Sequence, residues 1–264
     1  MGKNGAGKST TIKILLGLLK LQSGAIYYDG QNFSEEVLGK VGNLIESPSF
    51  YDHLTAYENL KYLDILFHCG ENRINKVLEL VDLSSARNKK AKKFSSGMKQ
   101  RLGIALALFH DPDILILDEP LNGLDPEGVH DMRKLLLKLH SEGKTILLSS
   151  HILSEIEKVC THIGILDEGQ LVYQGSIESL MTNINQRVTV ETNNVSKAKT
   201  LCLENGFDVT DDSENLLTVL IPNKNEYSRI INVLSSNNID IFSIKSDELD
   251  LESVFLTLTK HQTK

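Results

Sequence analysis

Eight residues near the amino terminus carry the strongest chemical signal in a chain of 264. Gly2-Lys3-Asn4-Gly5-Ala6-Gly7-Lys8-Ser9 has the spacing G-x-x-x-x-G-K-[ST]. Glycines let successive backbone N–H groups curl around phosphate oxygens, and a helix starting near Ser9 and Thr10 adds its positive end. Lys8 would reach the terminal phosphates and the Ser9 hydroxyl would hold Mg²⁺. A second signal is Asp118-Glu119, directly after the apolar run Ile114-Leu115-Ile116-Leu117. Carboxylates at the end of a buried parallel strand stand where such sheets bind ligands. Asp118 would hold Mg²⁺ through water, and Glu119 would polarise an attacking water. Two capping acids before Pro120 are the bland alternative, and the loop around Lys8 argues against it.

The elements that must position these residues can be read from periodicity. Ile12, Leu15, Leu16 and Leu19 share one helical face, which predicts a helix running from the loop to Ser23-Gly24. Ala25–Tyr28 reads as a strand before the turn Asp29-Gly30, and Val41–Ile45 as another. From Tyr57 to about Phe109 the pattern is helical, interrupted by the basic run Arg87–Lys93, a solvated connection. Asp113–Asp118 suits a strand buried on both faces. A helix over Val129–His140, a strand over Thr145–Ser149, a helix over Leu153–Cys160 and a hairpin over Ile163–Gln174 come next. Alternating strands and helices predict an α/β fold with a mostly parallel central sheet. Beyond residue 186 the texture changes to strands at Arg187–Glu191, Leu216–Ile221 and Ile239–Ile244. Helices at Val195–Glu204 and Glu226–Ser235 separate them, a β-α-β-α-β order that predicts a small α+β appendage.

Composition bounds the rest. With 41% hydrophobic and 24% charged residues the chain can build a core. A net charge of −7 argues against a dedicated nucleic-acid binder, so no nucleic-acid partner is expected. No apolar run is long enough for a membrane span. The short run Ile14–Leu19 fails as a signal peptide, and Met1-Gly2 fails as a myristoylation start because Ala6 stands where Ser or Thr belongs. A cytoplasmic protein is expected. Cys69, Cys160 and Cys202 form no CxxC pair and read as small buried side chains.

Five segments in order carry a resemblance. They are the loop at Lys8, Phe94-Ser95-Ser96-Gly97-Met98-Lys99-Gln100-Arg101, the strand ending Asp118-Glu119-Pro120, Asn122-Gly123-Leu124-Asp125, and Ser149-Ser150-His151. Over residues 2–175 this resembles the ATPase subunits of ABC transporters. The resemblance implies a P-loop ATPase domain over 1–182, with a helical subdomain at about 55–109, and an accessory α+β domain over 187–264. It implies ATP and Mg²⁺ as ligands, with Gly2 to Thr10 on the nucleotide, Glu119 as general base and His151 on the γ-phosphate. Ser9, Asp118 and Glu46 would serve the metal. Two copies would pair head to tail, Ser95, Ser96 and Gly97 of one closing on the ATP of the other, with Asp125 organising the contact. The strokes would drive separate transmembrane permease subunits, which places the chain on the inner face of the cell membrane.

Three departures from the family pattern refine this. The signature reads Ser-Ser-Gly-Met in place of Ser-Gly-Gly-Gln, and Gly97 keeps the close backbone approach. Glu46, in Asn43-Leu-Ile-Glu-Ser-Pro48, stands at the family's coupling glutamine and is similar to the bacitracin-resistance and lantibiotic self-immunity branch. The third is the absence of the strand that normally precedes the phosphate loop, together with its adenine-stacking aromatic, so the first strands of the ATPase domain are missing and the loop is expected to lack an anchor. The reading is therefore an exporter motor protecting against an antimicrobial peptide. A generic ABC-2-type multidrug exporter and an inactive, N-terminally truncated binding module stand as alternatives.

Overall fold

The computed structural model describes residues 1–182, 186–213, 215–222, 226–247 and 251–260. The parts of the expected accessory domain at 214, 223–225, 248–250 and 261–264 lie outside them. Contacts divide the chain into two units, Met1–Val159 with Leu166–Leu171, and Cys160–Ile165 with Val172–Lys264.

In the first unit, α1 spans Lys8–Leu15 and precedes a two-stranded hairpin, β1 (Tyr27–Tyr28) and β2 (Gln31–Asn32). The expected helix is shorter than its apolar face suggests. Gly17 adopts φ 70°, and Leu18 N and Gly17 N donate to the carbonyls of Lys13 and Ile14 at 2.8 and 3.0 Å. This left-handed glycine cap turns the chain away, whatever the hydrophobicity of Leu18 and Leu19. The strand expected over Ala25–Tyr28 shrinks to its last two residues. A short helix α2 (Glu35–Leu38), capped by Ser34, then leads into β3 (Val41–Leu44).

The helical stretch resolves into α3 (Ala56–Phe67), α4 (Glu71–Leu80) and α5 (Ser96–Leu108), with one 3₁₀ turn before the basic run and one at its end. Thr55 and Glu58 form a reciprocal cap at the start of α3, their side chains bonding each other's backbone N–H at 3.1 and 2.7 Å. Then come β4 (Ile114–Asp118), α6 (Pro126–Ser141), β5 (Thr145–Ser149) and α7 (Leu153–Val159). β3, β4 and β5 form a parallel sheet in that order, and Asp118 lies in register with Ser149. The continuous apolar run of β4 is covered on both faces, as expected. Leu115 and Leu117 join the large core with Leu60, Leu102 and Met132, while Ile116 joins Ile12, Leu16 and Val41. A parallel strand carrying two cores holds its carboxyl end, and hence Asp118-Glu119, rigidly.

The next elements are β6 (His162–Asp167), β7 (Gln170–Ser176), which pairs with it, and α8 (Ile177–Thr182). The appendage runs β8 (Gln186–Thr192), α9 (Val195–Glu204), β9 (Asp208–Asp212), β10 (Leu216–Ile221), α10 (Glu226–Ser236), β11 (Ile241–Asp247) and α11 (Leu251–Lys260). Its four strands are all antiparallel, in the order β11-β8-β10-β9. This is a ferredoxin-like β-α-β-β-α-β unit with a helix after it, one strand and one helix more than expected. β9 reads Asp-Val-Thr-Asp-Asp, a composition depleted in strands generally but tolerated here on the edge of the sheet. In α11, Leu251, Val254 and Phe255 are buried with helical spacing. The cysteine expectation holds fully only at Cys202, which is buried and whose thiol burial pushes up to about 11, leaving it inert; Cys160 is half-buried and Cys69 exposed.

Candidate nucleotide site

The loop from Gly2 to Gly7 is built around its own lysine. Lys8 Nζ donates to the carbonyls of Gly2 at 2.8 Å and Lys3 at 3.2 Å, which folds the loop into a ring ahead of α1. Gly7 caps that helix with φ 103°, a backbone open to glycine and strained for other residues. The loop is also anchored, contrary to the expectation drawn from the sequence. Leu166 N donates to the Met1 carbonyl at 2.8 Å, Gly169 N donates to Ala6 O at 3.2 Å, and Ala6 is buried. Backbone bonds to the tip of the β6–β7 hairpin thus hold it.

Asp118 and Glu119 are set by the register of β4 with β5. The Ser149 hydroxyl donates to Asp118 Oδ1 and accepts from Glu119 N at 2.9 Å, while the Ser149 carbonyl also accepts from Glu119 N at 3.2 Å. Glu119 leaves the strand with φ 51°, a sparsely populated conformation that turns its side chain out of the sheet's pattern. Its carboxylate lies 3.8 Å from Lys8 Nζ and 2.8 Å from His151 Nδ1. An ionised carboxylate only accepts, so in that pair Nδ1 carries the proton. Asn4, Gly5, Gly7, Lys8, Ser9, Thr10, Glu119, Asn122 and His151 line one cavity of about 440 Å³.

The donors available to Mg²⁺ are hard oxygens. Asp118, only 2% exposed, is the buried carboxylate, and Ser9 supplies a hydroxyl on the cavity wall. Among the described residues no group of three His, Cys, Asp or Glu could cage a metal. One carboxylate and a hydroxyl, completed by phosphate oxygens and water, is the set that suits Mg²⁺. Glu46 stands apart from this cavity: it pairs with Lys13 Nζ at 2.6 Å. The hydrogen bond and charge of Glu46, with a further contribution from Asp118, hold the Lys13 ammonium above the ordinary lysine range against the lowering effect of burial.

Ser95, Ser96, Gly97 and Asp125 do not line this cavity. Ser95 caps α5, accepting from Met98 N at 3.3 Å, and Asp125 caps α6, accepting from Gly128 N at 2.9 Å. Ser95 and Ser96 are exposed. Sequence reasoning misses two residues here. Asn122 lines the cavity as the turn residue bonded through its N–H to Glu119 O at 3.1 Å. Ser149 is the hinge between both acids, and only strand register could have found it. Ser149→Ala should cost about 1–2 kcal/mol of stability, because it removes a buried hydroxyl that satisfies two partners. Urea denaturation would measure it; a midpoint equal to the parent's would contradict the bridging role.

A phosphate loop before a helix, an acid pair at the end of a parallel strand and a histidine one strand on define a nucleoside-triphosphatase cassette. Residues 1–122 match the family described as ABC transporter. The chain is 41% identical to the bacitracin transport ATP-binding protein BcrA of Bacillus licheniformis, over 98% of this chain and 86% of that one. It is 44% identical to the lantibiotic transport ATP-binding protein SrtF of Streptococcus pyogenes, over 72% and 85%. Among solved structures, a dimeric ATP-binding cassette in a post-hydrolysis state bound to ADP and Pi superposes with a TM-score of 0.59 and 27% identity, over 67% of this chain and 83% of that one. The chain belongs to the ABC transporter family, as an ATP-hydrolysing subunit.

Proposed function

We propose that this chain is the ATP-driven motor of a bacterial exporter that protects its cell from an antimicrobial peptide of the bacitracin or lantibiotic type. The observation that carries the reading is the convergence of Lys8, Glu119 and His151 on one cavity, in a chain 41% identical to a bacitracin transport ATP-binding protein. The loop N–H groups and Lys8 bind the ATP phosphates. Glu119 takes the proton of the attacking water, and His151 orients Glu119 and meets the γ-phosphate. Mg²⁺ held by Ser9 and Asp118 would neutralise phosphate charge.

Two copies of residues 1–182 pair head to tail, each ATP closed by Ser95, Ser96 and Gly97 of the other copy, with Asp125 at the contact. The exposure of Ser95 and Ser96 at the start of a thirteen-residue helix supports this, since a helix N-terminus favours phosphate. The similar dimeric cassette supports it too. Separate permease subunits dock on the helical subdomain at 55–109, holding the chain at the cytoplasmic face. On α3, Tyr62, Ile65 and Leu66 are 55, 68 and 70% exposed, an apolar face with the character of an interaction surface. No helix among the described residues is long and apolar enough to cross a membrane. Residues 187–264 form an accessory domain, and no nucleic acid takes part.

The test is made in the cell of origin. Replacing Glu119 by Gln on the chromosome should lower the inhibitory concentration of bacitracin or of a lantibiotic to that of a gene deletion. Unchanged sensitivity to both peptide types in the deletion strain would contradict the peptide assignment.

A further inference from the structure

The most basic run of the chain ends in a fixed face rather than a loose loop. Lys89, Lys90, Lys92 and Lys93 are exposed, while Ala91 between them and Phe94 beyond them are buried and pin the segment. Ala91 N donates to Leu54 O at 2.8 Å, Lys92 N donates to Asp52 O at 2.9 Å, and Lys90 pairs with Thr55 as an antiparallel bridge. Among the described residues none of the four ammonium groups has an ion pair; Lys89 stands over the Phe94 ring at 5.9 Å. Of the nearby carboxylates, Glu58 is bound into the cap of α3 by Thr55 N at 2.7 Å, and Asp52 is exposed on the segment bonded to Lys92.

Two features decide what such a face fits. The single arginine of the run, Arg87, is occupied: its guanidinium bonds Asn75 and Glu71 and lies over the Tyr57 ring. Arginine clasps one phosphate through two bonds, whereas lysines are point charges that suit a diffuse negative surface. The same frame also carries apolar side chains. Tyr51 packs edge-on against Tyr62 at 5.2 Å, and Ile65 and Leu66 follow on α3, all four exposed. A membrane interface offers anionic headgroups and an apolar phase together; a nucleic acid offers only the charge. With a net charge of −7 the chain as a whole is repelled by an anionic membrane, so a basic face must be the side turned to it. We propose that Lys89, Lys90, Lys92 and Lys93 form a docking surface for anionic phospholipid headgroups, holding this subunit to the membrane directly. Such a contact goes beyond the permease docking proposed above and needs neither permease nor nucleotide.

Flotation of the full chain with lipid vesicles, without nucleotide, tests this. Vesicles of equal phosphatidylglycerol and phosphatidylcholine should bind it roughly tenfold or more tightly than phosphatidylcholine alone. Salt at about 1 M, where screening leaves a reach of about 3 Å, should remove the difference. Each single Lys→Gln change at 89, 90, 92 or 93 should weaken binding about two- to fivefold, and all four together should bring it to the phosphatidylcholine level. Four Lys→Arg changes at the same positions keep the charge and should bind as the parent does. Lys→Gln at Lys20, Lys134, Lys138 and Lys245, exposed lysines elsewhere, alters the net charge equally and should leave binding within about twofold of the parent's. Binding that ignores phosphatidylglycerol, that survives the four Lys→Gln changes at 89–93, or that falls as far in the control variant overturns the proposal. So does a parent chain that binds no vesicles; if the four changes then still abolish peptide resistance in cells, the face belongs to an acidic protein segment instead.

Discussion

Glu119→Gln should slow steady-state ATP hydrolysis by roughly 10²–10⁴-fold while leaving ATP bound. The amide is nearly isosteric with the carboxylate, so the hydrogen bonds that the Glu119 backbone N–H donates to Ser149 are untouched. The loss is confined to the carboxylate proposed to take a proton from water, 2.8 Å from His151 Nδ1 and 3.8 Å from Lys8 Nζ. Phosphate release measured beside equilibrium ATP binding separates the two effects. Turnover within threefold of the parent would mean that Glu119 is not the base.

Lys8→Ala acts one step earlier, on binding. Its ammonium ties the Gly2 and Lys3 carbonyls together, and ATP would add charge-assisted contacts to the same group. Hydrogen bonds to charged groups are worth about 1.5–3 kcal/mol, so ATP affinity should fall by about 10- to 100-fold. Calorimetry on the full chain tests this, and an unchanged dissociation constant would remove the loop from the site.

How much of the fold and site is legible in the sequence varies with the kind of signal. The phosphate loop and Asp118-Glu119 are legible because spacing and strand pattern fix their places, whereas His151 is reached only through the resemblance to the family. An apolar strand of this kind must be buried, and the acids at its carboxyl end must emerge at the sheet's edge. The end of α1 is not legible, because hydrophobic periodicity continues to Leu19 while Gly17, a single backbone conformation, decides the stop. Ser149 stands in the sequence only as a neighbour of His151. Its task depends on the pairing of β4 with β5, a long-range register that no local pattern encodes. Motif position marks Glu46 as a metal ligand, yet its partner, Lys13, lies thirty-three residues earlier on the loop's own helix. The edge strand β9 is hidden by its aspartates, which suit an edge and would be excluded from a centre. The anchoring of the phosphate loop by Leu166 and Gly169 is hidden for the same reason as Ser149: backbone bonds between segments so distant in the chain leave no mark in composition.

The central claim is that the Lys8 loop of one copy and the Ser95–Gly97 segment of another enclose a single ATP, which Glu119 then hydrolyses. Light scattering on the size-exclusion peak of the Glu119→Gln chain tests it most directly. With ATP and Mg²⁺ the variant should run at twice the mass of the 29.4 kDa chain, and without nucleotide at that mass. Adding Ser95→Arg, which puts a bulky side chain at the α5 cap where the proposed pair would close, should return it to the single mass in ATP. A pair that forms without ATP, or one that survives Ser95→Arg, would contradict the enclosed-nucleotide account.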